Sequence, residues 1–385
     1  MLTRLNTGGP TRHVLWVNAG LEARGHDVLL AAGRVEAGED DLSTLARDMS
    51  VEVASIAGMS RSPHLGGDLV GLAELRRLVR RFRPDVVHTH TAKAGTLGRL
   101  GAVLAHGPRR RPRTFHTFHG HSMTGYFGRL GSALSRGMEA LLARVATDRI
   151  VALSPLQRAE IATLLRLDPA RVVVVPNALN LDSFAQLPAR GAFRRELGVA
   201  DDAFLWGAVG RLAPVKNYDM LFDVARGLRV RTGDGAPALV VVGGGDTLES
   251  YRQRVAGAGL EGRLVFCGPR LDLPQVYADL DGVVLCSRQE GTPLSLIEAI
   301  VCGLPIVATA VGGVPDLLLR TFHGSPRDRW FEELSEPRGV LVAPGDAAAM
   351  TEALLLCPGR RVDRDAATFG LPRLLDDLED LYEMA

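Results

Sequence analysis

The residue types best suited to phosphate chemistry lie in the segment from Gly210 to Asn217, which is GRLAPVKN. Arg211 offers a planar fork of donors and Lys216 a mobile point charge, a combination that suits a diphosphate. The chain contains 43 Arg but only two Lys, Lys93 and Lys216. A lysine at this position therefore favours a binding role over the alternative, a solvated surface loop.

A second segment, from Glu290 to Glu298, is EGTPLSLIE. Gly291 and Thr292 predict a tight loop, and Pro293 suits the first turn of a helix that begins near Leu294. A helix N-terminus attracts anions. The eight-residue spacing puts one glutamate before the helix and the other more than one turn into it, so the two carboxylates would contact different parts of an elongated ligand. Acid–base catalysis is not indicated, because carboxylates also bind hydroxyls.

Two glycine-rich segments allow a close backbone approach to a ligand. Gly8 and Gly9 open a helix that carries Trp16 and Leu21, although this pair alone favours a plain turn over a ligand-binding loop. Gly243 follows a strand and could admit a phosphate. The full G-x-G-x-x-G pattern is missing, so a dinucleotide site is poorly supported.

Histidines are concentrated in the segment HTFHGH, from His116 to His121. No Cys, Asp or Glu lies nearby to complete a tetrahedral site, so a polar active-site rim is favoured over zinc. His88, His90 and His116 are also explained as hydrogen-bonded residues at strand ends. The D-x-D at Asp279 is interpreted as a junction between a helix and a strand. The sequence therefore predicts no metal and no cofactor.

Parallel sheets covered by helices are predicted to position these segments, because short β-branched runs alternate with longer amphipathic stretches. Ligands of such sheets bind at the carboxyl ends of the strands. The strand candidates in the first half are 26–30, 51–56, 85–89, 113–117, 149–153 and 171–175. Those in the second half are 205–209, 238–242, 264–267, 282–286, 305–309 and 339–342.

Composition describes a globular chain and excludes several classes of protein. The 385 residues carry a net charge of +1, which excludes a general polyanion binder such as a nucleic-acid protein. Residues 1–185 hold 24 Lys+Arg and 16 Asp+Glu, a net of +8, and the remainder a net of −7. A domain boundary near residues 180–200 fits this change. No spanning segment or signal peptide is recognised, so a cytoplasmic protein with four reduced cysteines is expected.

Several motifs together resemble glycosyltransferase family 4, whose enzymes have the GT-B fold. They are the early Gly-Gly loop, PDVVHTHTAKAG, HTFHGHSMTGYF, VVPNALNLDSF, GRLAPVKN and the E-x7-E segment EGTPLSLIEA. The resemblance implies two Rossmann-like, doubly wound domains facing a central cleft. It places the acceptor-side domain at 1–182, the nucleotide-sugar domain at 183–365, and a helix at 366–385 that packs back on the first domain.

The resemblance also implies roles for individual residues. Arg211 and Lys216 would hold the donor diphosphate and stabilise the leaving nucleotide, Glu290 would contact the sugar hydroxyls and Glu298 the ribose. The backbone from Gly291 to Leu294 would contact phosphate or sugar. Gly9 would approach the phosphates from the other domain, and His119 would lie near the reacting sugar. Relatives have an apolar strand before the Gly-Gly loop, whereas only Met1 to Thr7 precedes it here, so we expect an unusually short strand or a start inside it.

The function that the resemblance implies is transfer of a sugar from a nucleotide diphosphate, such as a UDP- or GDP-sugar, to a glycan or lipid-linked acceptor. The family's enzymes retain anomeric configuration and work without a metal, and we expect a role in cell-surface polysaccharide or glycoconjugate synthesis. The alternatives are a nucleotide-sugar epimerase or phosphorylase on the same fold and a non-catalytic nucleotide-sugar-binding protein. An arginine cluster at positions 76, 77, 80, 81 and 83 favours a solvated helix face, with peripheral contact with the inner membrane surface as the other interpretation.

Overall fold

The computed structural model describes residues 1–35, 41–60, 64–120, 129–233, 238–323, 330–358, 362 and 364–384. The chain divides into two compact units. Unit 1 comprises chiefly Met1–Ala178 together with Leu371–Ala385. Unit 2 comprises chiefly Leu179–Phe322 and Phe331–Gly370. Among the described residues, no helix combines the length and the apolar composition that crossing a bilayer requires.

Unit 1 alternates strands and helices. Its strands are β1 (Leu2–Arg4), β2 (Leu30–Gly33), β3 (Val53–Ile56), β4 (Val86–His90), β5 (Arg113–Thr117), β6 (Arg149–Ala152) and β7 (Val172–Val174). Its helices are α1 (Gly9–Ala23), α2 (Ser43–Asp48), α3 (Leu65–Phe82), α4 (Ala92–His106), α5 (Arg129–Val145) and α6 (Pro155–Leu165). The start of α6 is a capping box, because Ser154 Oγ accepts from the Gln157 N–H at 3.2 Å and Gln157 Oε1 accepts from the Leu153 N–H at 2.6 Å.

All strand pairs of unit 1 are parallel, in the orders β1-β2-β3 and β4-β5-β6-β7. The His90 N–H donates to the Met1 carbonyl at 2.9 Å, so β1 lies beside β4. The carboxyl ends of β4 and β5 consequently meet at one edge, where a doubly wound sheet binds its ligands.

One strand prediction in unit 1 is wrong. The run from His26 to Leu30 was expected to be extended, but β2 begins only at Leu30. The chain first closes α1, where the His26 N–H donates to the Leu21 carbonyl and Gly25 adopts a φ of 92°. Residues up to 29 are therefore used in the return from the helix to the sheet. The three-residue β1 agrees with the expectation of an unusually short first strand.

Unit 2 contains the remaining elements, apart from the C-terminal helix. The helices are α7 (Asp182–Ala185), α8 (Ala192–Leu197), α9 (Met220–Thr232), α10 (Leu248–Gly257), α11 (Leu273–Asp279), α12 (Leu294–Cys302), α13 (Val314–Leu319), α14 (Ala347–Leu356) and α15 (Ala366–Phe369). The strands of its main sheet are β8 (Leu205–Val209), β9 (Ala238–Val242), β10 (Leu264–Gly268), β11 (Gly282–Leu285), β12 (Ile306–Thr309) and β15 (Gly339–Val342). A separate two-stranded sheet, which the sequence did not predict, consists of β13 (Arg320–His323) and β14 (Trp330–Glu333).

The main sheet of unit 2 is parallel throughout and has the order β10-β9-β8-β11-β12-β15. Its strands are almost continuously apolar because helices cover both faces. Chain order reverses between β8 and β11, which makes their carboxyl ends the switch point of the sheet. The prediction of two α/β domains with parallel sheets is confirmed.

The last helix, α16 (Leu371–Met384), belongs to unit 1 and packs against α1. Its apolar face buries Leu374, Leu375, Leu378 and Leu381 against a cluster that includes Phe115. The contact with α1 is close, since a Cβ at Gly20 would lie 2.6 Å from Leu375 Cδ1. The chain therefore returns at its end to complete the core of unit 1.

Candidate active site

The loop after β8 carries both basic residues predicted to bind a diphosphate. It continues the pairing with the neighbouring strand, because the Gly210 N–H donates to the Val242 carbonyl and the Leu212 N–H to the Gly244 carbonyl. Asn217 then turns the chain with a φ of 54°. The Tyr218 hydroxyl donates to the Gly210 carbonyl at 2.8 Å, which closes the loop on itself.

Lys216 and Glu290, predicted from separate motifs, form an ion pair. Lys216 Nζ lies 2.7 Å from Glu290 Oε1, and their side chains are 19% and 11% exposed. The Ser287 hydroxyl donates to the same carboxylate oxygen at 2.5 Å. Arg211 is exposed on the same loop as Lys216. Tertiary structure thus brings a cation and a carboxylate together at the switch point of unit 2.

The backbone of Glu290 is held by a glycine that the sequence analysis did not identify. Gly312 has a φ of 52°, and a Cβ there would lie 1.8 Å from the Glu290 carbonyl oxygen. The Gly313 N–H donates to the Gly291 carbonyl at 2.9 Å. The loop after β12 therefore sets the position of Glu290, and only glycine fits at 312.

The helix N-terminus predicted beside Glu290 is present as α12. Pro293 is its N-cap residue rather than a residue of its first turn, with φ and ψ of −69° and 127°. Thr292 and Leu294 are buried, while Gly291 lies in the preceding turn. The first N–H groups of a helix have no acceptor within it, so this end of α12 offers donors for an anion or a sugar oxygen.

Glu298 lies inside unit 2. Its side chain is 2% exposed, and the Tyr277 hydroxyl of α11 lies 2.6 Å from Glu298 Oε2. The same hydroxyl is 3.1 Å from the Ser295 carbonyl. Tyr277 thus orients the carboxylate of Glu298. A contact with a ligand would be made by the other oxygen of this carboxylate. Nothing in the sequence pattern identified Tyr277, because it is distant from Glu298 in the chain and lies within an ordinary amphipathic helix.

Gly243 has a packing reason to be glycine. A Cβ at this position would lie 2.0 Å from the Gly210 carbonyl oxygen, so the ends of β8 and β9 could not approach each other. This contact brings Gly243 beside the loop of Arg211. Its proposed phosphate contact stays a prediction.

The D-x-D segment is a structural junction, as predicted. Asp279 ends α11 and is fully buried, where its carboxylate accepts from the backbone N–H groups of Gly191 and Phe193. Asp281 pairs with Arg190 and Arg194. Both carboxylates are therefore occupied by groups of the protein.

In unit 1, Gly9 is the first residue of α1, which confirms the predicted helix start. His119 lies two residues beyond β5, and its Nε2 is 3.0 Å from Nδ1 of His90, the last residue of β4. His13 of α1 packs edge-on against the rings of both. His121 lies outside the described residues.

Two further histidines of unit 1 fit the interpretation as hydrogen-bonded strand residues. His88 is within hydrogen-bond distance of the Tyr382 hydroxyl at 2.6 Å and of Thr117 Oγ1 at 2.7 Å. His116 Nδ1 is 2.9 Å from Thr89 Oγ1. Burial lowers the pKa of both rings well below the usual range, with repulsion from nearby positive groups adding to the effect.

The second lysine of the chain has a structural partner. Lys93 Nζ lies 2.6 Å from Asp68 Oδ1 of α3, and it is 3.5 Å from Ser60 Oγ. This ion pair accounts for its placement at the start of α4.

Two protein-family models match most of the chain. Residues 7–183 match the model described as Glycosyltransferase Family 4, and residues 203–357 match Glycosyl transferases group 1. Each match coincides with most of one structural unit.

Named relatives catalyse glycosyl transfer. The chain is 27% identical over 337 residues to UDP-Gal:alpha-D-GlcNAc-diphosphoundecaprenol alpha-1,3-galactosyltransferase of Escherichia coli, covering 87% of this chain and 84% of the relative. It is 34% identical over 316 residues to 2-deoxystreptamine N-acetyl-D-glucosaminyltransferase of Streptomyces fradiae, covering 78% and 68%. Among solved structures, Anabaena Alr3699/HepE in complex with UDP and glucose superposes with a TM-score of 0.76 at 19% identity, covering 100% of this chain and 98% of that one.

Proposed function

Because the chain belongs to glycosyltransferase family 4, we propose that it transfers a sugar from a nucleotide diphosphate to a glycan or lipid-linked acceptor, with retention of configuration, in the synthesis of a cell-surface polysaccharide or glycoconjugate. The observation that carries the proposal is the joining of Lys216 and Glu290 beside the N-terminus of α12. A sugar diphosphate needs this combination, with cations for the phosphates and a carboxylate for the hydroxyls.

The chemical contribution of this site is electrostatic. As the bond between the sugar and the diphosphate breaks, negative charge accumulates on the leaving phosphate, and Arg211 and Lys216 would stabilise it. The N–H groups at the start of α12 add a partial positive charge. These groups replace a metal ion at the diphosphate, so we expect added Mg²⁺ or Mn²⁺ to leave the rate unchanged.

The role of the cations is tested by Lys216→Ala and Arg211→Ala, with Arg226→Ala on the exposed face of α9 as the matched control. Removal of one such stabilising group lowers kcat by about 10²–10³ in comparable sites. Release of the nucleotide diphosphate from a UDP- or GDP-sugar, with and without acceptor, is the measurement. Unchanged turnover in both site variants would refute the assignment.

The donor and the reaction class are separated by two further measurements. Thermal shifts with UDP, GDP and ADP identify the base, since a ligand that binds the folded state raises its stability. Incubation with donor sugar alone then distinguishes transfer from isomerisation. An epimerised sugar in the absence of acceptor would favour the epimerase alternative, and nucleotide binding without any turnover would favour a non-catalytic protein.

Peripheral contact with an anionic membrane surface is part of the proposal, because the E. coli relative is named for a lipid-linked acceptor. Two of the five clustered arginines form hydrogen bonds within the protein. Arg76 donates to the Leu104 carbonyl and Arg80 to the Ala105 carbonyl, at the end of α4. Helix α5 supplies a second feature, a stripe of exposed apolar side chains at Leu134, Met138, Leu141 and Val145. A stripe of this kind suits the boundary between headgroups and acyl chains.

Sedimentation with vesicles tests the membrane contact. We expect the protein to bind vesicles that contain acidic phospholipid and Leu141→Glu to weaken this binding. Leu356→Glu, which changes an exposed leucine at the end of α14, should leave it unchanged. Binding that is independent of acidic lipid, or equal in both variants, would remove the membrane from the proposal and leave the transfer reaction intact.

A further inference from the structure

Two histidines at the carboxyl edge of the unit 1 sheet are joined by a hydrogen bond between their rings. Nδ1 of His90, the last residue of β4, lies 3.0 Å from Nε2 of His119, which follows β5. The two residues are 29 positions apart in the chain, and the parallel pairing of β4 with β5 brings them together. The bond engages one nitrogen of each ring, so Nδ1 of His119 is the nitrogen that this ring can offer to a ligand.

The ring of His90 is held in place by two other rings. It stacks on His88 with centroids 4.4 Å apart, and His13 of α1 packs edge-on with its centroid at 5.7 Å. Both nitrogens of His88 are in turn within hydrogen-bond distance of hydroxyls, those of Tyr382 and Thr117. His90 is 4% exposed. Its ring therefore presents Nδ1 in one orientation.

The backbone that leads to His119 is anchored from a different element. The Gln157 side chain, in the first turn of α6, donates from Nε2 to the Phe118 carbonyl at 3.1 Å. The Phe118 N–H donates to the Val151 carbonyl, also at 3.1 Å. Gln157 is buried, so water does not compete for its bond. The backbone before His119 is thereby fixed, which leaves the rotation of the His119 side chain to be set by the bond to His90.

Both rings are neutral near pH 7. Desolvation, followed by repulsion from His88, His119, the N-terminal amino group and His13, holds the pKa of His90 well below the usual range. Desolvation, followed by His13 and His88, has the same effect on the pKa of His119. A neutral imidazole donates from one nitrogen and accepts at the other. The hydrogen shared by the two rings therefore determines whether Nδ1 of His119 is a donor or an acceptor.

We propose that His90 is a positioning residue, which holds the His119 ring in one orientation and one tautomer so that Nδ1 of His119 meets a hydroxyl of the reacting sugar. The inference rests on the proposed transfer reaction and on the expected place of His119 near that sugar. A sugar hydroxyl can donate or accept, so a nitrogen of defined tautomer selects one of these two modes. The bond of His90 acts on the reaction through His119 alone.

Two substitutions at position 90 separate this role from simple packing. The side-chain amide of Asn is attached to the same carbon that carries Nδ1 in histidine, so His90→Asn retains a donor and an acceptor near Nε2 of His119. His90→Phe retains a ring that can stack on His88 and loses the hydrogen bond. A packing role would be preserved better by Phe, whereas the positioning role is preserved better by Asn.

Steady-state kinetics of nucleotide diphosphate release measure the effect on the reaction. We expect His90→Phe to lower kcat by about 10–100-fold with little change in the donor KM, since a displaced group near the reacting atoms costs up to about 10²-fold. His90→Asn should lose less than about tenfold, because a hydrogen bond is retained. His106→Phe, at an exposed histidine of α4, should turn over like the unmodified chain.

A double variant tests whether the effect passes through His119. In a His119→Ala chain, His90→Phe should cause no further loss of kcat, because the ring that it positions is already absent. Additive losses in the double variant, or equal kcat in His90→Phe and His106→Phe, would overturn the proposal.

NMR of the chain labelled with ¹⁵N-histidine tests the bond without turnover, and it uses the unmodified chain if His90→Phe fails to fold. The His119 ring is assigned by its loss in His119→Ala. We expect this ring to show one protonated and one bare nitrogen in the unmodified chain and averaged nitrogens in His90→Phe. Averaged nitrogens in the unmodified chain would overturn the proposal. Absence of transfer by the unmodified chain would instead contradict the proposed function, and the spectrum distinguishes the two failures.

Discussion

At the residue scale, the ion pair between Lys216 and Glu290 implies competition at the donor site. The two side chains are largely shielded from solvent and bind each other at 2.7 Å. A diphosphate that approaches Lys216 must share it with the carboxylate. The affinity for nucleotide alone and the efficiency of transfer should therefore respond differently to the loss of the Glu290 charge.

We expect Glu290→Gln to bind UDP or GDP more tightly than the unmodified chain, because Lys216 loses a competing anion. The kcat/KM for sugar transfer or donor hydrolysis should fall by about 10–100-fold, since a hydrogen bond to a charged acceptor contributes about 1.5–3 kcal/mol. Calorimetry and steady-state kinetics measure the two effects, with exposed Glu249→Gln as the control. Weaker nucleotide binding in Glu290→Gln would contradict the competition.

Tyr277 is expected to act by positioning Glu298. Tyr277→Phe removes the hydroxyl that lies 2.6 Å from Glu298 Oε2 and retains the ring that packs in the core. If the carboxylate binds the ribose, the nucleotide Kd should rise by roughly tenfold, as loss of a charged hydrogen bond predicts, with a smaller change in kcat. Tyr251→Phe, where the ring stacks on Phe266, is the control. An unchanged Kd would show that the orientation of Glu298 does not contribute to nucleotide binding.

At the element scale, α16 illustrates how a terminal helix contributes to a core that is distant in sequence. Leu378 is 1% exposed and belongs to the cluster that contains Val17, Phe115 and Val151. We expect Leu378→Ala to destabilise unit 1 by about 2–5 kcal/mol, as large-to-small core substitutions do. Hydrogen exchange should accelerate in α1 and α16.

Hydrogen exchange followed by mass spectrometry resolves the two units. Peptides of unit 2 should exchange as before, and Leu104→Ala, on the exposed face of α4, should change neither unit. Equal acceleration of both units by Leu378→Ala would show that α16 supports the whole chain rather than unit 1.

The sequence predicted the interiors of the strands more accurately than the loops at their ends. The bounds of β8, β9 and β15 agree with the sequence prediction because short, nearly continuous apolar runs mark parallel strands. The start of β2 was predicted too early because Val28 and Leu29 are apolar, although the turn that ends α1 at Gly25 leaves them in the segment returning to the sheet. Helix ends and turns depend on backbone hydrogen bonds, which hydrophobic periodicity does not record.

At the scale of the whole molecule, the accessibility of the four cysteine thiols to a reagent reports how tightly the chain is packed. None of the four is joined in a disulfide in the structure, and Cys286, Cys302 and Cys357 are buried. Burial raises the pKa of Cys267 to about 11 and those of Cys286 and Cys302 to about 12, so the reactive thiolate is scarce near neutral pH.

We therefore expect Ellman's reagent to titrate almost no thiol in the native protein at pH 8 and four in denaturant. The half-buried Cys267 should react first as the pH is raised toward its pKa. A rapid stoichiometric reaction of the native chain at pH 8 would contradict this burial.

The sequence by itself determined the alternation of strands and helices, the family, and the motifs that carry Arg211, Lys216 and Glu290. These features are local, since hydrophobic period, turn residues and motif spacing are all expressed over a few neighbouring positions. Only the tertiary structure decided that Lys216 pairs with Glu290, that Gly312 holds the Glu290 backbone, and that His13, His90 and His119 converge. Parallel sheets bring the carboxyl ends of strands together across long crossovers, so side chains that meet there are far apart in the chain, and their proximity has no counterpart in its spacing.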